Sequence, residues 1–152
     1  DGGGCHPRDN IALSWLARKI DLSYDWYESL MTCRENQTDW LAELICDHKE
    51  QTGLPVVILG KTFKKETNLT VGSPAVLLDN LLKERSVVAE MYDPWVDDSL
   101  PPLQNPAIFF IGTNHDAFLD YKFPSGSVVI DPWGMLGNTV IDDSVELISI
   151  GR

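Results

Sequence analysis

The sequence predicts an α/β fold built on a doubly wound parallel sheet, preceded by a helical segment. Three observations carry this expectation. From residue 54 onward, short apolar runs alternate with loop and helix signals. The first run, Leu54-Pro55-Val56-Val57-Ile58-Leu59-Gly60, is continuously apolar and partly β-branched, as a strand buried on both faces is. Before it, residues 9 to about 50 show helical rather than alternating periodicity.

Taken in order, the elements are as follows. Asp9 or Asn10 caps a first helix running from Asn10 to Ile20, with Ile11, Trp15, Leu16 and Ile20 on its apolar side. A longer helix runs from Ser23 toward His48, with Trp26, Leu30, Cys33, Trp40, Leu41 and Leu44 on one side. A strand over 55–59 follows, then a loop from Lys61 to Gly72 that holds Lys61, Lys64 and Lys65. Ser73 and Pro74 suit the N-cap and first position of a helix whose buried face is Ala75, Leu77, Leu78, Leu81 and Leu82. Further strands are expected over 86–91, 107–111, 127–130 and 146–150, with Leu100-Pro101-Pro102 in a loop. The chain divides into residues 1–50, helical, and residues 51–152, a Rossmann-like sheet domain whose binding edge lies at the strand C-termini.

Composition narrows the function. A net charge of −11 disfavours nucleic acid or an anionic membrane as partner, because either needs a basic stripe. No run is long enough to span a bilayer, and Cys5, Cys33 and Cys46 form no disulfide framework. A cytoplasmic protein is expected. No CxxC or HxxxH spacing supports a metal site among the cysteines and histidines.

Two segments carry chemistry. In Gly2-Gly3-Gly4-Cys5-His6-Pro7-Arg8-Asp9, a cysteine stands on a glycine turn at the approach to a helix, whose dipole favours the thiolate. The glycines let a bulky substrate approach the sulfur. Arg8 adds a positive charge, and Asp9 is a carboxylate able to activate water. Cysteine attack on a carbonyl carbon followed by carboxylate-assisted hydrolysis is coherent on these residues, although an unreactive thiol is the plain alternative. In the second segment, three lysines and a helix N-terminus follow a strand, an arrangement that favours phosphate. Neither GxGxxG nor GxxxxGK[ST] is present.

Together these segments resemble the UDP-glucose/GDP-mannose dehydrogenase family. GGGCHPRD looks like its catalytic cysteine motif, and GKTFKKETNLTVGSPA looks like its GxxFKxxTxxxRxSPA signature. Tyr92-Asp93-Pro94, the segment Ile111 to Phe118 and the strand Ser127 to Asp131 match in order downstream. The resemblance implies that Cys5 is the nucleophile, forming a thiohemiacetal and then a thioester, and that Asp9 assists hydrolysis. It implies that Phe63 and Lys64 line the sugar-nucleotide site, with the backbone of Gly3 and Gly4 close to the substrate. The implied ligand is a UDP-sugar or related nucleotide sugar. The implied cofactor is NAD, bound by an N-terminal domain not expected within these residues, so the chain alone is expected to be inactive. The helices of residues 1–50 are implied to link domains and to form a homodimer.

Three positions depart from the family pattern. Arg8 stands where many members have lysine, Val71 where the arginine of RxSPA is expected, and Trp133 where many members place an arginine facing the sugar. The function expected for the parent protein is an NAD-dependent oxidation of a hexose C6 alcohol to a carboxylate. A non-catalytic nucleotide-sugar-binding module and a dimerisation unit are the alternatives.

Overall fold

The computed structural model describes residues 5–137, 139 and 141–150. Five strands form one sheet: β1 (Val56–Leu59), β2 (Ala89–Tyr92), β3 (Ile108–Ile111), β4 (Val128–Asp131) and β5 (Glu146–Ser149). Their order is β2-β1-β3-β4-β5, and every pairing is parallel. The chain moves outward from β1 to β2 and then crosses to β3 on the other side, so the winding reverses between β1 and β3. In open α/β sheets, ligands bind at the strand C-termini beside such a reversal.

Three helices accompany the sheet: α1 (Cys5–Lys19), α2 (Trp26–Thr52) and α3 (Pro74–Glu84). Alternate strand residues divide the core into two layers, as a two-residue side-chain period requires. Val56, Ile58, Ile108, Phe110, Val128 and Ile130 pack against Ala42 and Ile45 of α2 and Ala75, Leu78 and Leu82 of α3. On the opposite face, Val57, Leu59, Phe109, Ile111 and Val129 pack against Phe118, Phe123, Leu136 and Val145. That face is covered by a 3₁₀ turn (Asp116–Asp120) and loops rather than by α-helices.

The helix ends explain where the expected boundaries moved. α1 begins at Cys5, not at Asn10. Pro7 does not delay it, because amides in the first turn of a helix have no intrahelical partner to lose. Asn10 is therefore no cap but a buried interior residue whose side chain donates to the His6 carbonyl at 2.9 Å. α2 starts at Trp26 rather than Ser23, because Asp25 accepts from the Glu28 amide as N-cap at 3.0 Å. Gly53 ends the helix at φ 71°, the left-handed geometry glycine adopts freely. For α3, Ser73 caps the Ala75 amide at 3.2 Å, with Pro74 as the first helical residue, as the sequence predicts.

The apolar side expected for α2 is only partly a core face. Leu41 and Leu44 pack on the sheet layer, but Trp26, Leu30, Cys33 and Trp40 are exposed. Ile11, Trp15 and Leu16 of α1, and Ile20 just after it, are exposed as well. The side of α1 that is covered consists of Asn10, Ser14 and Ala17. No helix among the described residues is long and apolar enough to cross a membrane.

Candidate functional site

A cavity of about 220 Å³ opens at the C-terminal edge of the sheet, at the winding reversal. Phe63 lines it from the loop after β1, Gly112 from the end of β3, and Pro132 and Trp133 from the turn after β4. Pro74 and Ala75 bring the first turn of α3, and Arg34 and Thr38 come from α2. The floor is apolar and the α2 wall supplies the polar groups.

Close packing at the strand ends makes two glycines necessary. A Cβ on Gly112 would lie 2.6 Å from the Gly60 carbonyl oxygen and 2.8 Å from Ala75 Cβ. Gly60 has φ 102°, and a Cβ there would meet the Thr113 amide nitrogen at 2.5 Å. β1, β3 and α3 thus converge closely beneath the cavity. Trp133 is fixed over the edge: its indole N–H donates to the Ile111 carbonyl at 3.1 Å, and its amide donates to buried Asp131 at 3.0 Å.

Behind Phe63 lies a buried polar cluster. Asp93, just after β2, and His115, after β3, are both fully buried and reach across the end of β1. Oδ2 of Asp93 accepts from the Lys61 amide at 2.7 Å, the Thr62 amide at 3.0 Å and His115 Nε2 at 3.1 Å, while Oδ1 accepts from the Trp95 amide at 2.9 Å. Burial alone would raise the Asp93 carboxyl, but the bonds from His115, Trp95, Lys61 and Thr62 outweigh it and hold the group well below the usual carboxylate range. The Thr62 carbonyl accepts from the hydroxyls of Thr113 and Ser73. In sequence, Asp93 stands before Pro94 as a turn residue does, and His115 follows an apolar run as a loop residue does. Their partnership spans 22 positions and passes over an intervening strand, so no local spacing signals it.

The sequence-nominated residues divide. Phe63 lines the cavity, whereas Lys64 is exposed and does not. The expected cluster of three lysines is not an open anion site. Lys61 Nζ pairs with Asp97 at 2.7 Å and Lys65 Nζ with Asp116 at 3.2 Å, leaving Lys64 as the lysine of the three without a carboxylate partner among the described residues. Val71 is exposed and away from the cavity lining, while Trp133 forms part of it.

Cys5 is the first residue of α1 and is exposed. Asp9 is turned toward Arg8, which it pairs with at 2.9 Å in an exposed contact. Neither Cys5 nor Asp9 lines the cavity. Gly3 and Gly4 lie outside the described residues. Among the described residues, no group of three or more histidine, cysteine or acidic side chains is placed to hold a metal ion.

The fold is a parallel α/β sheet with a cavity at its C-terminal edge. No protein-family model matches the chain. The chain is similar to nucleotide-sugar dehydrogenases over about nine-tenths of its length: it is 24% identical to GDP-mannose 6-dehydrogenase of Pseudomonas aeruginosa over 91% of this chain, and 26% identical to that of Pseudomonas putida over 89%. UDP-glucose 6-dehydrogenase of Bacillus subtilis is 27% identical over 61% of the chain. The fold is shared with a crystal structure of GDP-mannose dehydrogenase from Pseudomonas aeruginosa, at TM-score 0.79 and 24% identity over 96% of this chain and 39% of that one. A UDP-glucose dehydrogenase from Pyrobaculum islandicum superposes at TM-score 0.74 and 22% identity over 95% of this chain and 37% of that one. The chain spans 37%, 36% and 20% of the lengths of the three curated relatives named above.

Proposed function

We propose that this chain is the cysteine-bearing and sugar-nucleotide-binding part of a nucleotide-sugar 6-dehydrogenase. The observation that carries the reading is the similarity to GDP-mannose 6-dehydrogenases across about 90% of the chain. The cavity at the sheet reversal supports it, because it lies where such folds take nucleotides.

In this reading Phe63, Lys64 and the Gly3-Gly4 backbone receive the nucleotide sugar. The Cys5 thiolate captures the C6 aldehyde as a thiohemiacetal, and Asp9 assists water in hydrolysing the later thioester. Cys5 stands exposed in the first turn of α1. NAD, the electron acceptor in this reading, does not fit this chain's own sheet edge. The acid at the end of β2, Asp93, is fully buried and bonded to its own loops, so no ribose reaches it. NAD is accordingly assigned to a part of the parent protein beyond this chain, and the chain alone is inactive.

The nucleotide is a guanosine or a uridine diphosphate, because relatives named for GDP-mannose and for UDP-glucose reach over 91% and 86% of the chain. The apolar faces of α1 and the first half of α2 support a homodimer through these helices. The exposed free thiols Cys5 and Cys33 fit a cytoplasmic location. A second reading, a binding or dimerisation module without chemistry, draws on the separation of Cys5 and Asp9 from the cavity lining and on Trp133 in it.

The test is calorimetric titration of the chain with GDP-mannose, UDP-glucose and NAD, alongside NADH formation by the full-length parent. Saturable binding of one nucleotide sugar, no binding of NAD, and turnover by the parent that Cys5→Ser abolishes are expected. Binding with no turnover by the intact parent establishes the module instead.

A further inference from the structure

The loop from Lys61 to Gly72 is held at both ends. Lys61 and Thr62 are bonded to Asp93, and Ser73 bonds the Thr62 carbonyl. In its middle the Lys64 carbonyl accepts from the buried Thr62 hydroxyl at 3.1 Å, Lys65 pairs with Asp116, and the Glu66 amide donates to Nδ1 of buried His115 at 3.3 Å. Glu66 has φ 59°, in the left-handed region, which is unfavourable for a residue with a Cβ. A strained residue persists where its surroundings over-determine it.

His115 is built to do this. With Nδ1 accepting from Glu66, the ring proton lies on Nε2, which faces both Asp93 Oδ2 and Thr62 Oγ1 at 3.1 Å. The ring is boxed between Trp95, stacked at 6.5 Å between centroids, and the edge of Phe118 at 5.5 Å. Asp93 satisfies Lys61 and Thr62 without help from the imidazole, so the contribution peculiar to His115 is the reach to Glu66. Phe63, Lys64 and Glu66 lie in one turn of this loop, closed by the Phe63 amide on the Leu69 carbonyl at 3.0 Å.

We propose that His115 is the positioning residue of the ligand site: by tying the Glu66 amide to Asp93 through its two ring nitrogens, it sets the loop conformation in which Phe63 and Lys64 meet the nucleotide sugar. The inference rests on the proposed function for the identity of the ligand, but the geometry of the clamp stands apart from it. The role is positioning because His115 is fully buried and does not line the cavity.

Two measurements on the intact chain separate the clamp from the function. In hydrogen exchange without ligand, His115→Phe, which keeps a ring in the box, is expected to accelerate exchange at Glu66 and its loop neighbours while Ile58 and Phe109 in the sheet remain protected. His115→Gln, which retains one of the two bonds at a time, is expected to lie between Phe and wild type, and it serves also if His115→Phe fails to fold. In titration with GDP-mannose and UDP-glucose, His115→Phe is expected to weaken binding about tenfold and His115→Gln to recover part of the loss. Unchanged exchange at Glu66 in both variants overturns the clamp. Accelerated exchange with unaltered affinity overturns its role in the ligand site. Wild-type chain that binds neither nucleotide sugar overturns the ligand reading alone, and the exchange result then still decides whether His115 holds the loop.

Discussion

Replacing Asp93 with asparagine tests whether the edge of this sheet is organised by one buried charge. The carboxylate accepts four bonds at Oδ2, from the Lys61 and Thr62 amides, the Thr62 hydroxyl and His115, and one at Oδ1 from the Trp95 amide. An asparagine side chain can oppose its oxygen to the first group or to Trp95, not to both. In the better orientation its NH₂ faces the Trp95 N–H, two donors with no acceptor, which costs about 1–3 kcal/mol. The remaining bonds lose their charge assistance, about 1 kcal/mol for each backbone amide. The sum is a loss of about 3–5 kcal/mol, a large share of the 5–15 kcal/mol typical of a domain. Urea unfolding at pH 7 measures it as a drop in midpoint at unchanged slope. The pH dependence gives a second check. Because the folded-state carboxyl is held below its unfolded value, its contribution is complete above the ordinary carboxylate range and is lost as pH falls toward the folded value. The gap between wild type and Asp93→Asn should therefore narrow by about 1.4 kcal/mol for each pH unit below about 3.9. A loss under about 1 kcal/mol at pH 7, or a gap that does not narrow in acid, refutes the argument.

Gly112→Ala is expected to destabilise by about 1–3 kcal/mol in urea unfolding, because its Cβ would press on the Gly60 carbonyl and Ala75 where no flexible side chain can yield. Ser73→Ala removes both the α3 cap and a bond to the Thr62 carbonyl, with an expected loss of about 1–2 kcal/mol in the same assay. Trp133→Arg is expected to raise affinity for a nucleotide sugar in calorimetry, by placing a guanidinium on the largely apolar cavity lining. Trp15→Glu on the exposed side of α1 is expected to shift the proposed homodimer toward monomer in sedimentation equilibrium without altering the sheet.

What the sequence disclosed and what it hid follow from the range of the interactions involved. Strand β1 and the Ser73-Pro74 start of α3 rest on local signals, a continuous apolar run and a cap with its proline, whereas the expectation for Phe63 came from the family resemblance. The start of α1 was obscured because Asp9 and Asn10 are good capping residues, yet the helix already runs from Cys5 through them. Tryptophans at helical spacing on α2 read as a core face, but only the C-terminal half of that helix rests on the sheet, through Ala42 and Ile45. The lysines read as an anion site because Asp97 and Asp116, which neutralise two of them, are remote in sequence. The Asp93–His115 pair was illegible for the same reason: it forms because strand order sets β2 and β3 on either side of β1, a fact of topology rather than of pattern.

The same topology bears on how binding and chemistry could share one chain. α2 is the element common to both: Arg34, Thr38 and Leu41 wall the cavity, while its N-terminal end carries α1. The joint is Asp25, which caps α2, accepts from Ser14 of α1 at 2.5 Å and pairs with Arg18. A connection as short as residues 20–25 turns the second helix back along the first. Cys5 precedes Ser14 by nine positions, and Arg34 follows Asp25 by nine. At about 1.5 Å per residue each lies about 13.5 Å from the joint, on neighbouring helices that run back along one another. The fold therefore returns the cysteine to the level of the cavity's α2 wall, although it leaves the thiol outside the lining.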